Sequence, residues 1–170
     1  MSSQIDNVEW STDLESGIDV LDAQHRKYFD LLNDFFQKAA ESSSTPEAIS
    51  DLAKRFDFLR QYAVEHFATE QEIMERAEYP DAELHENAHL YFLNHVGELY
   101  EQLKTRGYSP GLAREVNFYT IEWFIKHIRL TDMELVKFLK EESTEDKKLP
   151  GFLRKIHESL FAKKTGNPLR

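Results

Sequence analysis

Two pairs of ligand-type side chains, each spaced by four residues, sit either side of a proline: His66-x3-Glu70 and His85-x3-His89, with Tyr79-Pro80 between. On a helix, residues i and i+4 lie one above the other, so each pair aims in a single direction. Pro80 cannot continue the first helix, so the second pair belongs to a new one. An antiparallel return across so short a turn brings the pairs face to face. Three imidazoles and a carboxylate converging in this way form a metal-ligand pattern. The other segments of the chain must then supply the remaining ligands and bury them.

The rest of the sequence fits an all-α chain. Gly and Pro number only 6 and 5 in 170 residues, and no strand-like alternation persists. The spacing predicts four long helices, at about 19–40, 46–76, 81–104 and 110–140. Their apolar stripes are Leu21, Tyr28, Leu32 and Phe35; Ile49, Leu52, Phe56 and Leu59; Phe92, Val96, Leu99 and Leu103; and Val116, Trp123, Leu130, Leu135 and Phe138. Ser44 or Thr45 is expected to cap the second helix, with Pro46 in its first turn. Ser109-Pro110 starts the fourth, and Gly107 stops the third. Short connections between long amphipathic helices imply an up-down-up-down four-helix bundle. Residues 1–17 read as an extended arm, packed onto the body through Trp10.

Five of the seven histidines fall on these inward stripes: His25, His66, His85, His89 and His127. Glu70 shares the stripe of the second helix, where an unpaired carboxylate would be costly. Asp132 lies five residues past His127, about 140° round a straight helix. It reaches in from the flank, or the helix is locally distorted. His95 and His157 fall off the faces and read as solvated. Five imidazoles and two carboxylates exceed one tetrahedral zinc and suit two bridged ions. Imidazole with carboxylate favours iron, and also accepts zinc, manganese or nickel. There is no cysteine, so thiolate sites and iron–sulfur clusters are excluded.

The sequence resembles the hemerythrin family, in its single-domain bacterial form. The resemblance is carried by Gly17-Ile-Asp-Val-Leu-Asp-Ala-Gln-His25, His66-Phe-Ala-Thr-Glu70, Tyr79-Pro80 with His85-x3-His89, and Trp123-x3-His127-Ile-x3-Asp132. It covers about residues 8–140. It implies a di-iron cofactor, Fe2+ or Fe3+, bridged by Glu70, Asp132 and an oxo or hydroxo group. His85, His89 and His127 would hold one iron, and His25 and His66 the other, which keeps an open position for O2. An O2 pocket walled by Trp10, Phe29, Trp123 and Phe124 is expected, with Phe124 standing where the family usually has Leu or Ile. The implied function is reversible O2 binding for storage, delivery or sensing. The alternatives are a di-iron oxidase or peroxidase, and an interaction module signalling through the tail.

Charge adds a second region. The net charge is −10, but residues 147–170 carry +6, which leaves −16 on the rest. So acidic a body argues against nucleic-acid binding. Leu149, Phe152, Leu153, Ile156, Leu160 and Phe161 keep helical spacing among Lys and Arg. This predicts an extra C-terminal helix on a bundle of residues 1–142, within a basic amphipathic extension over 143–170. Residues 147–164 would dock on the bundle or meet a protein or membrane surface. No apolar run reaches the ~20 residues of a membrane span. MSSQIDNVEW lacks a basic region followed by an apolar one, so a cytoplasmic location is expected.

Overall fold

The computed structural model describes residues 8–42 and 44–145. The expected C-terminal helix and His157 lie outside the described residues. Helix α1 spans Asp19–Glu41, α2 Pro46–Arg76 and α3 Ala82–Arg106. Helix α4 covers residues 110–145, five residues past its expected end at 140, and is not uniform. It is α-helical over Pro110–Asn117, Trp123–His127 and Met133–Glu145, with π turns at Phe118–Glu122 and Ile128–Asp132. The four helices form the expected all-α bundle.

The helix ends follow local chemistry. Thr45, rather than Ser44, caps α2, its hydroxyl accepting from the Ala48 N–H at 3.3 Å. Ser109 caps α4, accepting from the Leu112 N–H at 3.2 Å. Gly107 ends α3 at φ 74°, and a Cβ there would meet Ile49 Cδ1 at 3.0 Å. Only glycine suits both constraints.

The α2–α3 turn is not set by Pro80 alone. Tyr79 N–H donates to Met74 O at 3.0 Å and Glu78 N–H to Glu75 O at 3.3 Å. These are the two bonds of a Schellman ending. Its left-handed residue is Glu78, at φ 51°, where glycine is usual. Tyr79 then packs with Ile73 and Met74, so α2 ends before Pro80 acts.

The amino-terminal arm is extended only as far as Ser11, then turns through Thr12–Leu14. The Asn33 side chain clamps it, accepting from Val8 N–H at 2.8 Å and donating to Val8 O at 2.9 Å. Asp22 fixes the entry to α1 by accepting from the Ser16 N–H, Ser16 Oγ and Gly17 N–H at 2.7–3.1 Å. Trp10 is half-buried against Phe29 and the His25 ring, as the arm's expected anchor.

The interior is divided in three. One apolar cluster, with Tyr28, Leu32, Phe56, Phe92 and Phe124, fills most of the bundle. A smaller one, with Leu21, Ile73, Met74 and Leu135, fills the other end. Between them every helix contributes one or two polar residues to a buried layer.

Candidate metal centre

That layer is His25 from α1, His66 and Glu70 from α2, His85 and His89 from α3, and His127 and Asp132 from α4. None of the seven is more than 4% exposed. The π turn brings Asp132 in. There the Met133 N–H reaches back to Ile128 O, five residues away. With i→i+5 bonding, residues five apart take the relation that residues four apart have in an α-helix. His127 and Asp132 therefore share a face, and local distortion rather than reach from the flank is the answer. The same extra residue turns Leu130, expected on the inward stripe, out to 66% exposure.

The ligand-type atoms fall into two overlapping sets, each with its atoms within 4.8 Å of one another. One is His85, His89, His127, Glu70 and Asp132. The other is His25, His66, Glu70 and Asp132. Both carboxylates are shared, one oxygen to each side. Glu70 Oε1 faces His66 Nε2 at 3.6 Å, while Oε2 faces His89 at 3.0 Å and His85 at 3.6 Å. Asp132 Oδ2 faces His25 Nε2 at 3.2 Å, while Oδ1 faces His127 at 2.9 Å and His85 at 3.4 Å.

Protonation follows from this burial. Burial lowers His66 to about 3 and lowers His89, against the pull of Glu70. Burial also pulls on His85, but its contacts with Asp132 and Glu70 prevail and raise it to about 9. Burial and mutual repulsion favour neutral carboxyls at Glu70 and Asp132. The histidines around them win, and both are held below the usual carboxylate range.

Do these residues fit metal ions? Nε2 of His25, His66 and His85, and all four oxygens of Glu70 and Asp132, are buried without a directed hydrogen bond among the described residues. Nε2 of His89 and His127 face each other at 3.0 Å. Buried polar atoms are nearly always partnered. Here the lone pairs converge in two clusters, as nitrogen and oxygen ligands of two cations would. Two cations would also offset the buried carboxylate charge. The donor set fits.

A second layer orients His66. Its Nδ1–H donates to Gln24 Oε1 at 3.1 Å, Gln24 Nε2 donates to Thr69 Oγ1 at 3.0 Å, and Thr69 donates to Glu65 O at 3.0 Å. The chain fixes the tautomer that leaves the Nε2 lone pair facing inward. Sequence reasoning missed Gln24 and Thr69, although one adjoins His25 and the other Glu70.

Aromatic rings close both sides. Phe124, fully buried, lies 5.8 Å from the rings of His25 and His66, with Phe29 beside it and Trp10 against Phe29 and His25. Trp123 does not join them. It stacks on His127 at 4.6 Å, one turn along the helix, while Phe67 stacks on His89 at 3.8 Å. Neighbouring helix residues point about 100° apart, so 123 and 124 serve opposite sides. Tyr28, from the inward stripe of α1, stacks on Phe124 at 4.0 Å, and its buried hydroxyl has no hydrogen-bond partner among the described residues. His95 is not simply solvated: it is half-buried, stacked on Tyr119 at 4.5 Å.

A helical bundle crossed by two nitrogen- and oxygen-donor sets with common carboxylates defines a non-haem dinuclear metal protein. Known proteins agree with that class. The Hemerythrin HHE cation binding domain matches residues 16–139. A bacteriohemerythrin of Stenotrophomonas maltophilia is 32% identical over 123 residues, 72% of this chain and 75% of its own. One from Pseudomonas aeruginosa is 27% identical over 157 residues, covering 89% and 96%. One from Ralstonia nicotianae is 26% identical over 140 residues, covering 81% and 93%. The chain belongs to the hemerythrin family, non-haem di-iron proteins that bind O2 and are generally oxygen binders rather than enzymes. No helix among the described residues is long and apolar enough to cross a membrane.

Proposed function

We propose that this chain binds O2 reversibly at a di-iron centre held by all seven residues of the polar layer. His85, His89 and His127 would hold one iron and His25 and His66 the other, with Glu70 and Asp132 bridging. The carrying observation is the inequality of the two sets. The side with only two histidines has one donor fewer, and that side is the one facing Phe124, Phe29 and Trp10.

When bound, the di-iron centre supplies the two electrons that O2 takes up and returns. The protein's residues do the rest. The Gln24–Thr69 chain holds His66 in its ligating tautomer. Glu70 and Asp132 stay ionised and tie the two halves together. Phe124, Phe29 and Trp10 wall the approach and keep out the water that would bring protons and hasten irreversible oxidation. Histidine-rich ligation, with no pair of Glu-x-x-His motifs, supports carriage over oxidation of a substrate.

Storage, delivery and sensing all draw on this chemistry, in the cytoplasm on our reading. The sequence pattern of residues 147–164 supports a contact surface on a separate C-terminal extension, for a protein or a membrane. Truncation after Glu145 tests it. Unchanged melting and unchanged O2 binding place the extension outside the bundle's fold.

The central test is optical. Anaerobic, reduced protein carrying two irons per chain should gain a visible charge-transfer band on adding O2 and lose it on removing O2, over repeated cycles. A protein with two irons that consumes O2 and forms no such band is an oxidase, and reversible binding is then wrong.

A further inference from the structure

The polar layer is sealed, so an ion must pass between helices to reach it. A pocket of about 230 Å3 leads inward between the start of α3 and the second π turn. Asp81, Leu84 and His85 line it from α3 and its start, Thr131 and Glu134 from α4, and Tyr79 lines it as well. The volume is several times the ~30 Å3 share of one water, enough for a cation with part of its shell. Asp81 and Glu134 are exposed, and among the described residues no Lys or Arg lines the pocket. Burial, and then the charges of Asp81 and Glu134, raise the Tyr79 phenol, so both carboxylates act on the same space.

Acidic side chains alone would be an ordinary solvated surface. Here the inner end is His85, which is 2% exposed. Its Nε2 faces Asp132 and Glu70, and its Nδ1 is buried without a hydrogen-bond partner among the described residues. His85 thus belongs to both the pocket and the polar layer. Each of the other two α3–α4 histidines is instead covered by a stacked ring, Phe67 on His89 and Trp123 on His127.

We propose that this pocket is the iron-loading port: Asp81 and Glu134 hold a hydrated ferrous ion at its mouth, and His85 passes it to the buried layer. The proposal rests on the di-iron reading of that layer. Carboxylates suit the first contact, because they bind a hydrated dication while it keeps most of its water. Imidazole suits the second, because it replaces that water once its own proton is released to solvent. The metal keeps its oxidation state throughout, and only its ligands change.

Exchange on the loaded, full-length protein tests this. Anaerobic reduced protein is mixed with isotopically labelled Fe2+, and incorporation is followed by mass spectrometry. Asp81→Asn with Glu134→Gln should slow exchange about tenfold at low ionic strength, the lower end of electrostatic focusing. High salt should shrink that difference. Leu84→Trp, which plugs the mouth and leaves both acids in place, should slow exchange at any salt. Both acids are exposed and neither side chain caps α3, so helical circular dichroism should be unchanged. Exchange at the parental rate in the double variant overturns the proposal, even if Leu84→Trp is slow. Parental rates in Leu84→Trp overturn it as well. Starting iron content separates the two readings: a parent without two irons per chain refutes the di-iron site itself, and the port with it.

Discussion

Replacing Gln24 by Met isolates the second layer. Met keeps the length and bulk of Gln but offers no acceptor to His66 Nδ1 at 3.1 Å. His66 is 1% exposed and held neutral, with a single ring N–H to place. Leaving that N–H buried and unpaired costs about 1–3 kcal/mol. The ring escapes by moving its proton to Nε2, where Glu70 Oε1 lies 3.6 Å away. That tautomer uses up the lone pair an iron needs. Loss of such an orienting partner weakens metal binding by about 10–100-fold, or ~1–3 kcal/mol. Only one of the two irons should be affected, because Gln24 touches no histidine of the other set. Anaerobic titration with a ferrous chelator should show one iron leaving at lower chelator concentration in Gln24→Met, with the second unchanged. Gln24→Glu, which keeps an acceptor, should hold both. If Gln24→Met retains both irons like the parent, Gln24 does not orient His66. Equal weakening of both irons would point instead to a general loosening of the bundle.

Other outcomes follow from single groups. Tyr28→Phe removes a buried hydroxyl with no partner among the described residues and keeps the stack on Phe124. It should stabilise the fold by about 1 kcal/mol, raising Tm by ~2–4 °C, and a lower Tm would mean that the hydroxyl is bonded to internal water. Phe124→Leu should destabilise by about 1 kcal/mol and speed both O2 release and autoxidation in stopped-flow, and parental rates would make Phe124 ordinary packing. The iron-free protein should lose stability as pH falls from about 6.5 towards 3. In that range the unfolded chain protonates His66, whose folded value is about 3, at up to ~1.4 kcal/mol per pH unit. Glu70 and Asp132, depressed in the fold, add to the loss below about pH 4. His85, raised to about 9, contributes stability that is lost as pH rises from about 6.5 through 9. Urea midpoints equal at pH 7 and pH 5 would contradict this assignment.

The helices and the polar layer, Asp132 apart, could be read from sequence because both depend on period; Asp132 shares a face with His127 only through the π turn. A histidine four residues from a carboxylate, on a stripe of Leu and Phe, has one direction to point. Caps are equally local: Thr45, Ser109 and Gly107 act on their own backbone. What escaped depends on neighbours far along the chain. Gln24 and His66 are 42 residues apart, and nothing near either one announces the bond. Glu78 ends α2 in a left-handed conformation that a glycine would have signalled and a glutamate hides. Trp123 and Phe124 cannot form a single wall, because adjacent helix residues point about 100° apart. Leu130 faces outward because the π turn interrupts the even helical period.

That turn bears on how the protein tolerates change. A π turn carries one residue more than the α-helical path it replaces, and α4 holds two of them. Residues 118–122 and 128–132 are therefore where α4 can absorb the loss of a residue by reverting to α-helix, with the downstream face still presented to the core. Elsewhere in the bundle, a single deletion rotates everything after it by about 100°. The flanks of Asp132 are thus the most length-permissive part of the fourth helix, although they adjoin its most demanding side chain. Deletion scanning, more than substitution, is the experiment to which this helix responds unevenly.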